Sequence, residues 1–292
     1  MKKYILLSII ALFAKFIYAQ EITKEFSVNS FNSIDAGFVF NIEAIKSSSE
    51  KVRIIADQEI MDIIEVKVKG NTLYLSGSTK KLSRESQKKI NNVRAYIYYK
   101  DLKKIELSGA SSFTSKDIIQ RDNFQIESSG AAKINSLKID VKSSILSLSG
   151  ATNTTIDGNL GDSKIDVSGA AKLNISGFSN NMEISCSGAA NINIKGEIKR
   201  LKQSISGSSK VVLNGSGNEL SDIELSGASS LNAMSFPINN LKISVSGVSK
   251  AKVNVVKTLD AEATSASKIE YKGNPIINRA QKSTSSSINK IE

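Results

Sequence analysis

A serine–glycine step recurs through most of the chain and constrains its fold more than any other feature. Successive copies are 18 to 21 residues apart, if a degenerate final copy with Ser265 in place of glycine is included. The repeated glycines are Gly109, Gly130, Gly150, Gly169, Gly188, Gly207, Gly227 and Gly247. Self-similarity at about 20 residues is typical of a solenoid, in which each repeat buries its apolar face only against neighbouring repeats.

The residues around each glycine alternate between apolar and polar types. In the copy around Gly169 the apolar or small set is Ile165, Val167, Gly169, Ala171, Leu173 and Ile175. Alternation with a period of two predicts strands that turn one face toward a core. A glycine in the middle of this inward set predicts a corner of the strand, where no larger side chain has room.

Segments rich in glycine, asparagine and serine separate the strands and predict turns. Three of them are residues 158–162, 177–181 and 214–218. Two strands around a corner, followed by a turn, make one coil. We therefore predict an all-β fold, a single-stranded right-handed parallel β-helix, or solenoid, with coils of about 20 residues. A propeller and an antiparallel sandwich are the alternatives, but a propeller blade needs about 40 residues.

Three regions follow from this pattern. Residues 1–20 have a basic start and a short apolar stretch, which predict a secretory signal peptide. Residues 21–104 lack the repeat and predict irregular coils that cap the solenoid, and residues 105–292 form its regular part. Within the cap we expect strands at 39–44, 52–56, 66–68 and 73–75, a short helix within 57–64, and a solvated basic loop at 79–94.

Composition restricts the chemistry. The chain contains no histidine, which removes the commonest general base and metal ligand, and its single cysteine, Cys186, falls in the inward set. Catalytic triads that need histidine cannot form, and we predict no cofactor and no metal site. Loss of residues 1–20 removes three lysines and lowers the formal charge from +11 to +8. We expect no transmembrane segment in the mature chain, and no nucleic-acid binding, since interleaved aromatic residues are absent.

Stacking of the coils predicts columns of outward side chains. Three residues after each glycine position, lysines alternate with asparagine or serine along most of the chain. The lysines of this column are Lys133, Lys172, Lys210, Lys250 and Lys268. Like charges in adjacent coils are destabilising, whereas a skipped coil separates them by about 9 to 10 Å. We predict that these five lysines bind a ligand.

Two further features of the predicted outer surface could be structural or functional, and the sequence does not decide between these roles. The small residues beside each glycine, such as Ser168 and Ala170, predict a flat strip that could dock a sugar chain or could simply suit the corner. The outward asparagines Asn135, Asn174, Asn193 and Asn232 could form an amide ladder. Three residues before the glycines, Glu106 and Glu127 begin an acidic-to-neutral column, with no sign of a groove around them.

The repeated Ser-Gly-Ala copies after a signal peptide resemble the family described as "putative auto-transporter adhesin, head GIN domain". Residues 109–267 match its repeat, and residues 56–60 and 70–73 are similar to its earlier part. The resemblance covers nearly the whole mature chain. It implies an exported or surface-located protein of the Bacteroidetes type, from a family that carries an adhesin description and has no settled activity.

The function predicted from these observations is that of a non-catalytic, exported adhesin-like or scaffold protein. Its partners would be anionic polysaccharide or a surface protein, or a second copy of itself, and its location the periplasm, the cell surface or the medium. A carbohydrate-active enzyme on the same scaffold is one alternative, for which an acidic cleft would be evidence. A periplasmic protein-interaction module is the other.

Overall fold

The computed structural model describes residues 21–88, 90, 93–216 and 218–292. The predicted signal peptide, residues 1–20, lies outside the described residues. Parallel strands stack coil upon coil into a solenoid of about ten turns. For example, β13 pairs with β14 in unbroken parallel register from Lys172 opposite Asn191 to Cys186 opposite Ile205. The predicted parallel β-helix is confirmed.

The strands divide into a short N-terminal set and a longer repeated set. The first set is β1 (Glu21–Ser27), β2 (Ser33–Ala36), β3 (Asn41–Lys46), β4 (Lys51–Asp57), β5 (Ile64–Lys69), β6 (Thr72–Gly77) and β7 (Arg94–Tyr99). The second set is β8 (Lys104–Leu107), β9 (Ser112–Ser128), β10 (Lys133–Leu148), β11 (Asn153–Asn159), β12 (Asp162–Val167), β13 (Lys172–Cys186), β14 (Asn191–Ile205), β15 (Lys210–Ser216), β16 (Asn218–Leu225), β17 (Ser230–Val245), β18 (Lys250–Ala263), β19 (Lys268–Lys272), β20 (Ile276–Lys282) and β21 (Ser287–Lys290). Two short helices, α1 (Gln58–Met61) and α2 (Arg84–Lys88), lie between strands of the first set.

The core is a set of buried columns that run along the solenoid axis. One of them consists of Leu173, Ile192, Val211, Leu231, Ala251 and Ile269, which face one another in register and are all buried. Each fully buried aliphatic side chain contributes about 1.5 to 3 kcal/mol. The period-two pattern of the sequence is therefore the pattern of this core.

The corner glycines lie at the surface, so their predicted inward position is wrong. Gly169 is exposed, whereas Val167 before it and Ala171 after it are buried. The exposed residues Gly169 and Ala170 turn the corner, and Ala171 points into the core again. Glycine is required there because φ is +71° and because a Cβ atom on Gly169 would lie 2.7 Å from the Gly150 carbonyl oxygen. The next coil closes the corner when Ala189 N–H donates to the Gly169 carbonyl at 2.8 Å.

A second glycine column forms another corner of the coil. Gly158, Gly177 and Gly196 face one another in register, and a Cβ atom on Gly196 would lie 1.7 Å from the Gly177 carbonyl oxygen. We predicted turns here, but β13 runs without a break through residues 177–181. The chain bends at a glycine within the strand, so the turn prediction is wrong for this segment.

The N-terminal region adds antiparallel strands to the end of the solenoid. Strands β2 and β3 form a coil in which Phe38 occupies the glycine position at φ +87°, and they pair in parallel with β8 and β9. On the other side they pair with β6 and β7, which β5 and β4 then cover in antiparallel fashion. The four strands and the short helix predicted in this region are confirmed. The basic stretch 79–94 also contains α2 and a 3-10 turn at Thr79–Lys81.

Candidate functional site: the lysine column

The strand register aligns the predicted lysines on the outer face just after the serine–glycine corner. Lys133 faces Asn153, which faces Lys172. The column continues through Asn191, Lys210, Ser230, Lys250, Lys268 and Ser287. We define Lys133, Lys172, Lys210, Lys250 and Lys268 as the lysine column. The structure therefore brings all five predicted residues onto one line parallel to the solenoid axis.

The first three lysines are spaced and carry free charges. Lys133, Lys172 and Lys210 are exposed, and none of them forms an ion pair within the described part of the chain. One asparagine lies between each pair, so neighbouring ammonium groups are two coils apart, about 10 Å. That spacing is close to the Debye length of about 8 Å at physiological ionic strength, which keeps their mutual repulsion small.

The last two lysines are crowded around a carboxylate. Lys250 and Lys268 occupy adjacent coils, and Lys252 lies beside them one column away. Glu270, whose side chain is only 11% exposed, forms ion pairs with all three. The hydrogen bond from Lys268 is the main cause that lowers the pKa of Glu270, to about 2, and Lys250 lowers it further. This end of the column is therefore partly neutralised.

A shallow hollow joins the two ends of the lysine column. It has a volume of about 240 Å³, and its rim carries Lys210, Lys250 and Lys252. Val211 and Leu231 lie under it, with the outward Asn232 beside them. Three ammonium groups around a small depression provide cationic donors on several sides of an anionic group of a ligand.

The predicted asparagine ladder exists at a single step. Asn193 donates its side-chain N–H to the Asn174 side-chain oxygen at 3.2 Å, across one coil boundary. Val212 separates Asn193 from Asn232, and Asn135 lies where the register between β10 and its neighbours shifts. Asn135 instead contacts the Thr114 hydroxyl at 3.4 Å. The prediction of a continuous ladder is wrong, because Thr155, Val212 and the bulge near Asn135 interrupt it.

On the other side of the corner the surface is concave, contrary to the predicted flat strip. A groove of about 450 Å³ runs along the residues that precede the glycines. Its polar lining is Glu106, Glu127, Ser129, Ser147, Ser149, Asp166, Ser168, Ser185, Ser187, Ser204 and Ser206. From the sequence we expected no groove around Glu106 and Glu127, and that interpretation is wrong. Small serines at the corner leave the space that a larger side chain would fill.

Carboxylates gather at the N-terminal end of this groove. Lys104 forms ion pairs with Glu106 at 2.8 Å and with Glu127 at 2.9 Å. Asp35 on β2 faces Glu106 in register. Burial raises the pKa of Asp35, and the negative charge of Glu106 raises it further. Two salt-bridged carboxylates at this end of the groove therefore lie beside one, Asp35, that ionises less readily.

The comparisons with known proteins agree with the repeat. The chain matches the family described as "Putative auto-transporter adhesin, head GIN domain" over residues 30–181 and 178–275. It belongs to this family. The resemblance predicted from the serine–glycine copies is thereby confirmed, and no curated protein matches the chain.

Three solved structures are similar to this chain over most of its length. A protein of Parabacteroides distasonis described as "Putative lipid binding protein" has 17% identity and a TM-score of 0.49, with 94% of this chain and 98% of that chain covered. A "putative adhesin" of Parabacteroides merdae has 16% identity, a TM-score of 0.49 and the same coverage. A "putative adhesin" of Bacteroides fragilis has 22% identity and a TM-score of 0.37, with 93% and 97% covered.

Cys186, the single cysteine of this head GIN domain chain, has a structural role. Cys186 is buried in the core, where burial raises the pKa of its thiol, so it is a packing residue. Among the described residues no cluster of three or more acidic or cysteine side chains is arranged to hold a metal ion. No helix in the described ranges has the length and apolarity to cross a membrane.

Proposed function

We propose that this head GIN domain protein is an exported, non-catalytic adhesin that binds anionic polysaccharide through the lysine column. The observation that supports it is the alignment of Lys133, Lys172 and Lys210 at every second coil, exposed and without ion-pair partners in the described part of the chain. Lysines that served only solubility would need no common register. Family membership supports a binding function at an exported location.

The ligand would lie along the solenoid axis, across the coils. The free ammonium groups recur about every 10 Å, and a linear glycan with one carboxylate or sulfate in each two-sugar repeat also carries regularly spaced charges. Asn153 and Asn191 lie between the lysines and offer amide donors and acceptors to sugar hydroxyls. The hollow rimmed by Lys210, Lys250 and Lys252 would hold one of the anionic groups.

The test is binding of the protein to a panel of anionic and neutral polysaccharides at low and high salt. We expect salt-sensitive binding to the anionic members. Replacement of Lys133, Lys172 and Lys210 by glutamine should weaken it roughly a hundredfold, since each exposed charge pair contributes about 1 kcal/mol. Binding that keeps its strength in this variant would contradict the proposal.

A matched control removes three lysines elsewhere on the surface. Lys138, Lys195 and Lys257 are exposed and lie outside the lysine column. Their replacement by glutamine makes the same change in net charge, so we expect it to leave most of the affinity. An equal loss in both triple variants would mean that net charge, rather than alignment, attracts the polysaccharide.

A second candidate, a carbohydrate-active enzyme, is favoured by the groove carboxylates alone. Asp35 and Glu106 face each other on adjacent strands, which are spaced about 4.8 Å apart, and retaining glycosidases hold their two carboxylates roughly 5 Å apart. The raised pKa of Asp35 suits a general acid. Turnover of an oligosaccharide panel that disappears in Asp35→Asn, and persists in Asp166→Asn, would favour this function. No turnover by the unchanged protein would exclude it for the sugars tested.

A further inference from the structure

A second long groove runs along the same strands, nearer their beginnings than the groove at the corner. Its volume is about 570 Å³, and Met182 and Leu201 lie at its base. Six charged residues line it: Asp162 and Arg200 lie in one column, and the other four occupy consecutive coils of the next column, Lys164, Glu183, Lys202 and Asp222. We define these four residues as the alternating column. Their charges read plus, minus, plus, minus along the solenoid.

Two exposed aliphatic side chains lie at the ends of this groove. Ile145 precedes Lys164 by one coil and is 45% exposed. Leu220 lies in the neighbouring outer column, in the coil of Asp222, and is 48% exposed. Large exposed aliphatic residues around a groove that is rimmed by charges are typical of protein-interaction surfaces.

Ion pairs within the chain account for only part of the alternation. Glu183 pairs with Lys202 at 3.3 Å, and Asp222 pairs with Lys242 at 3.7 Å. Lys164 faces Glu183 in register but forms no ion pair within the described residues. Glu183 and Lys202 also remain about half or more exposed, at 49% and 70% of their side chains. The column therefore presents accessible charges of both signs to a partner.

We infer that the alternating column is the interface of a two-fold symmetric dimer with a second copy of this chain. A series of four alternating charges becomes its own complement when it is reversed. A two-fold axis parallel to the strands, between the coils of Glu183 and Lys202, performs this reversal. Lys164 then faces Asp222 of the second copy, and Glu183 faces Lys202 of the second copy, so the dimer contains each of these pairs twice.

The same operation covers the two exposed aliphatic side chains. Counted along the coils from Ile145, Leu220 lies four coils further on. The axis places Leu220 of the second copy opposite Asp162, in the coil that contains Lys164, and Ile145 opposite Lys242 of the second copy. Each aliphatic side chain is thereby covered, and Ile145 packs on the methylene stem of that lysine.

The dimer leaves the proposed ligand site open. The alternating column precedes the serine–glycine corner, whereas the lysine column follows it. Each dimer would carry two lysine columns, and a polysaccharide long enough to reach both would bind with increased avidity. This inference does not depend on the polysaccharide proposal, because the interface uses different residues.

The test is the molar mass of the protein in solution, measured by light scattering over a range of concentrations. We expect a dimer that dissociates on dilution and at high salt. Lys164→Glu places like charges opposite each other twice in the dimer and should give the mass of one chain at all concentrations. A single-chain mass for the unchanged protein would overturn the inference.

A charge exchange distinguishes this interface from any effect within one chain. In Lys164→Glu combined with Asp222→Lys, the pair between the two copies is restored with its signs reversed. The two positions are three coils apart in one chain, about 14 Å, so direct pairing within the chain cannot explain a recovered dimer. We expect the double variant to dimerise again. If it stays monomeric while its circular dichroism is unchanged, the proposed pairing is overturned.

The matched control is Lys133→Glu, which makes the same charge reversal on the lysine column. We expect it to dimerise like the unchanged protein. Dimer loss in Lys133→Glu, or a dimer that persists in Lys164→Glu, would place the interface elsewhere and overturn the inference.

Discussion

The two ends of the lysine column differ in how the repulsion between their ammonium groups is reduced. Between Lys133 and Lys210 every lysine is followed by an asparagine in the next coil, so distance reduces the repulsion. Between Lys250 and Lys268 no coil is skipped, and Glu270 reduces the repulsion by direct pairing. The spaced lysines keep positive charges that a ligand can bind, whereas the charges of Lys250 and Lys268 are partly neutralised by Glu270. The spaced end is therefore the part of the column that best suits an anionic partner.

The strongest way to disrupt the spaced end is to break the corner that aligns it. Gly188 lies at the corner just before Asn191, and its φ is +80°. Gly188→Val would place a Cβ atom 2.6 Å from the Gly169 carbonyl oxygen. We expect the free energy of unfolding in urea to fall by about 3 kcal/mol.

The neighbouring Ala189 offers the control for this change. It is exposed, and Val248 occupies the equivalent position of a later copy with 72% exposure. Ala189→Val should leave the unfolding midpoint nearly unchanged. Equal losses in the two variants would mean that bulk at the surface, and not the glycine conformation, limits the corner.

The crowded end is tested by removal of its carboxylate. Glu270→Gln leaves three lysines without their shared partner, and we expect a loss of about 1 kcal/mol at neutral pH because the lysines are partly exposed. The pKa of Glu270 is lowered from 4.5 to about 2 by folding. Its contribution is therefore complete above pH 4.5 and is lost as the pH falls toward 2.

Urea unfolding measured across this pH interval checks the prediction. The difference in stability between the unchanged protein and Glu270→Gln should shrink as the pH falls from 4.5 toward 2. Glu224→Gln is the control, since Glu224 is exposed and forms no ion pair among the described residues. A constant difference at all pH values would contradict the role given to the ion pairs. Glu270→Gln should also bind anionic polysaccharide more tightly, because it frees the lysines at this end.

The smallest expected effect comes from filling a gap in the spaced end. Asn191→Lys would place ammonium groups in three consecutive coils with Lys172 and Lys210. Like charges directly opposite each other are unfavourable, so we expect a loss of about 0.5 kcal/mol at low salt. The loss should diminish at high salt because of screening. Asn191→Gln is the control for a longer side chain without a charge. A loss of stability that salt does not alter would contradict the view that Asn191 keeps the like charges of Lys172 and Lys210 apart.

Much of the candidate site follows from the sequence because a solenoid repeats its register. Once the glycines align the coils, a residue three positions after Gly169 must lie beside the equivalent residues of the next coils. This rule placed Lys172 correctly without any structure. It failed where the register changes, as at Asn135, and where the corner turns a position of the inward set to the surface, as at Gly169 itself.

The sequence could not reveal the three concave features. The groove beside Glu127, the hollow near Lys210 and the groove of the alternating column depend on how strongly the sheets bend at each corner. That curvature is the result of many small contacts between coils and has no signature in any single residue. The antiparallel strands of the N-terminal region likewise depend on pairing between segments far apart in the chain.

By itself, the sequence determined the repeat, the all-β solenoid, the apolar columns of the core and the line of lysines. It could do so because period-two alternation and glycine spacing are local and recur in every coil. Only the tertiary structure decided that the lysine column has a free end and a neutralised end, and that charges of alternating sign share a groove with two exposed aliphatic residues. Those properties arise between coils, where side chains some 20 residues apart meet at about 4.8 Å.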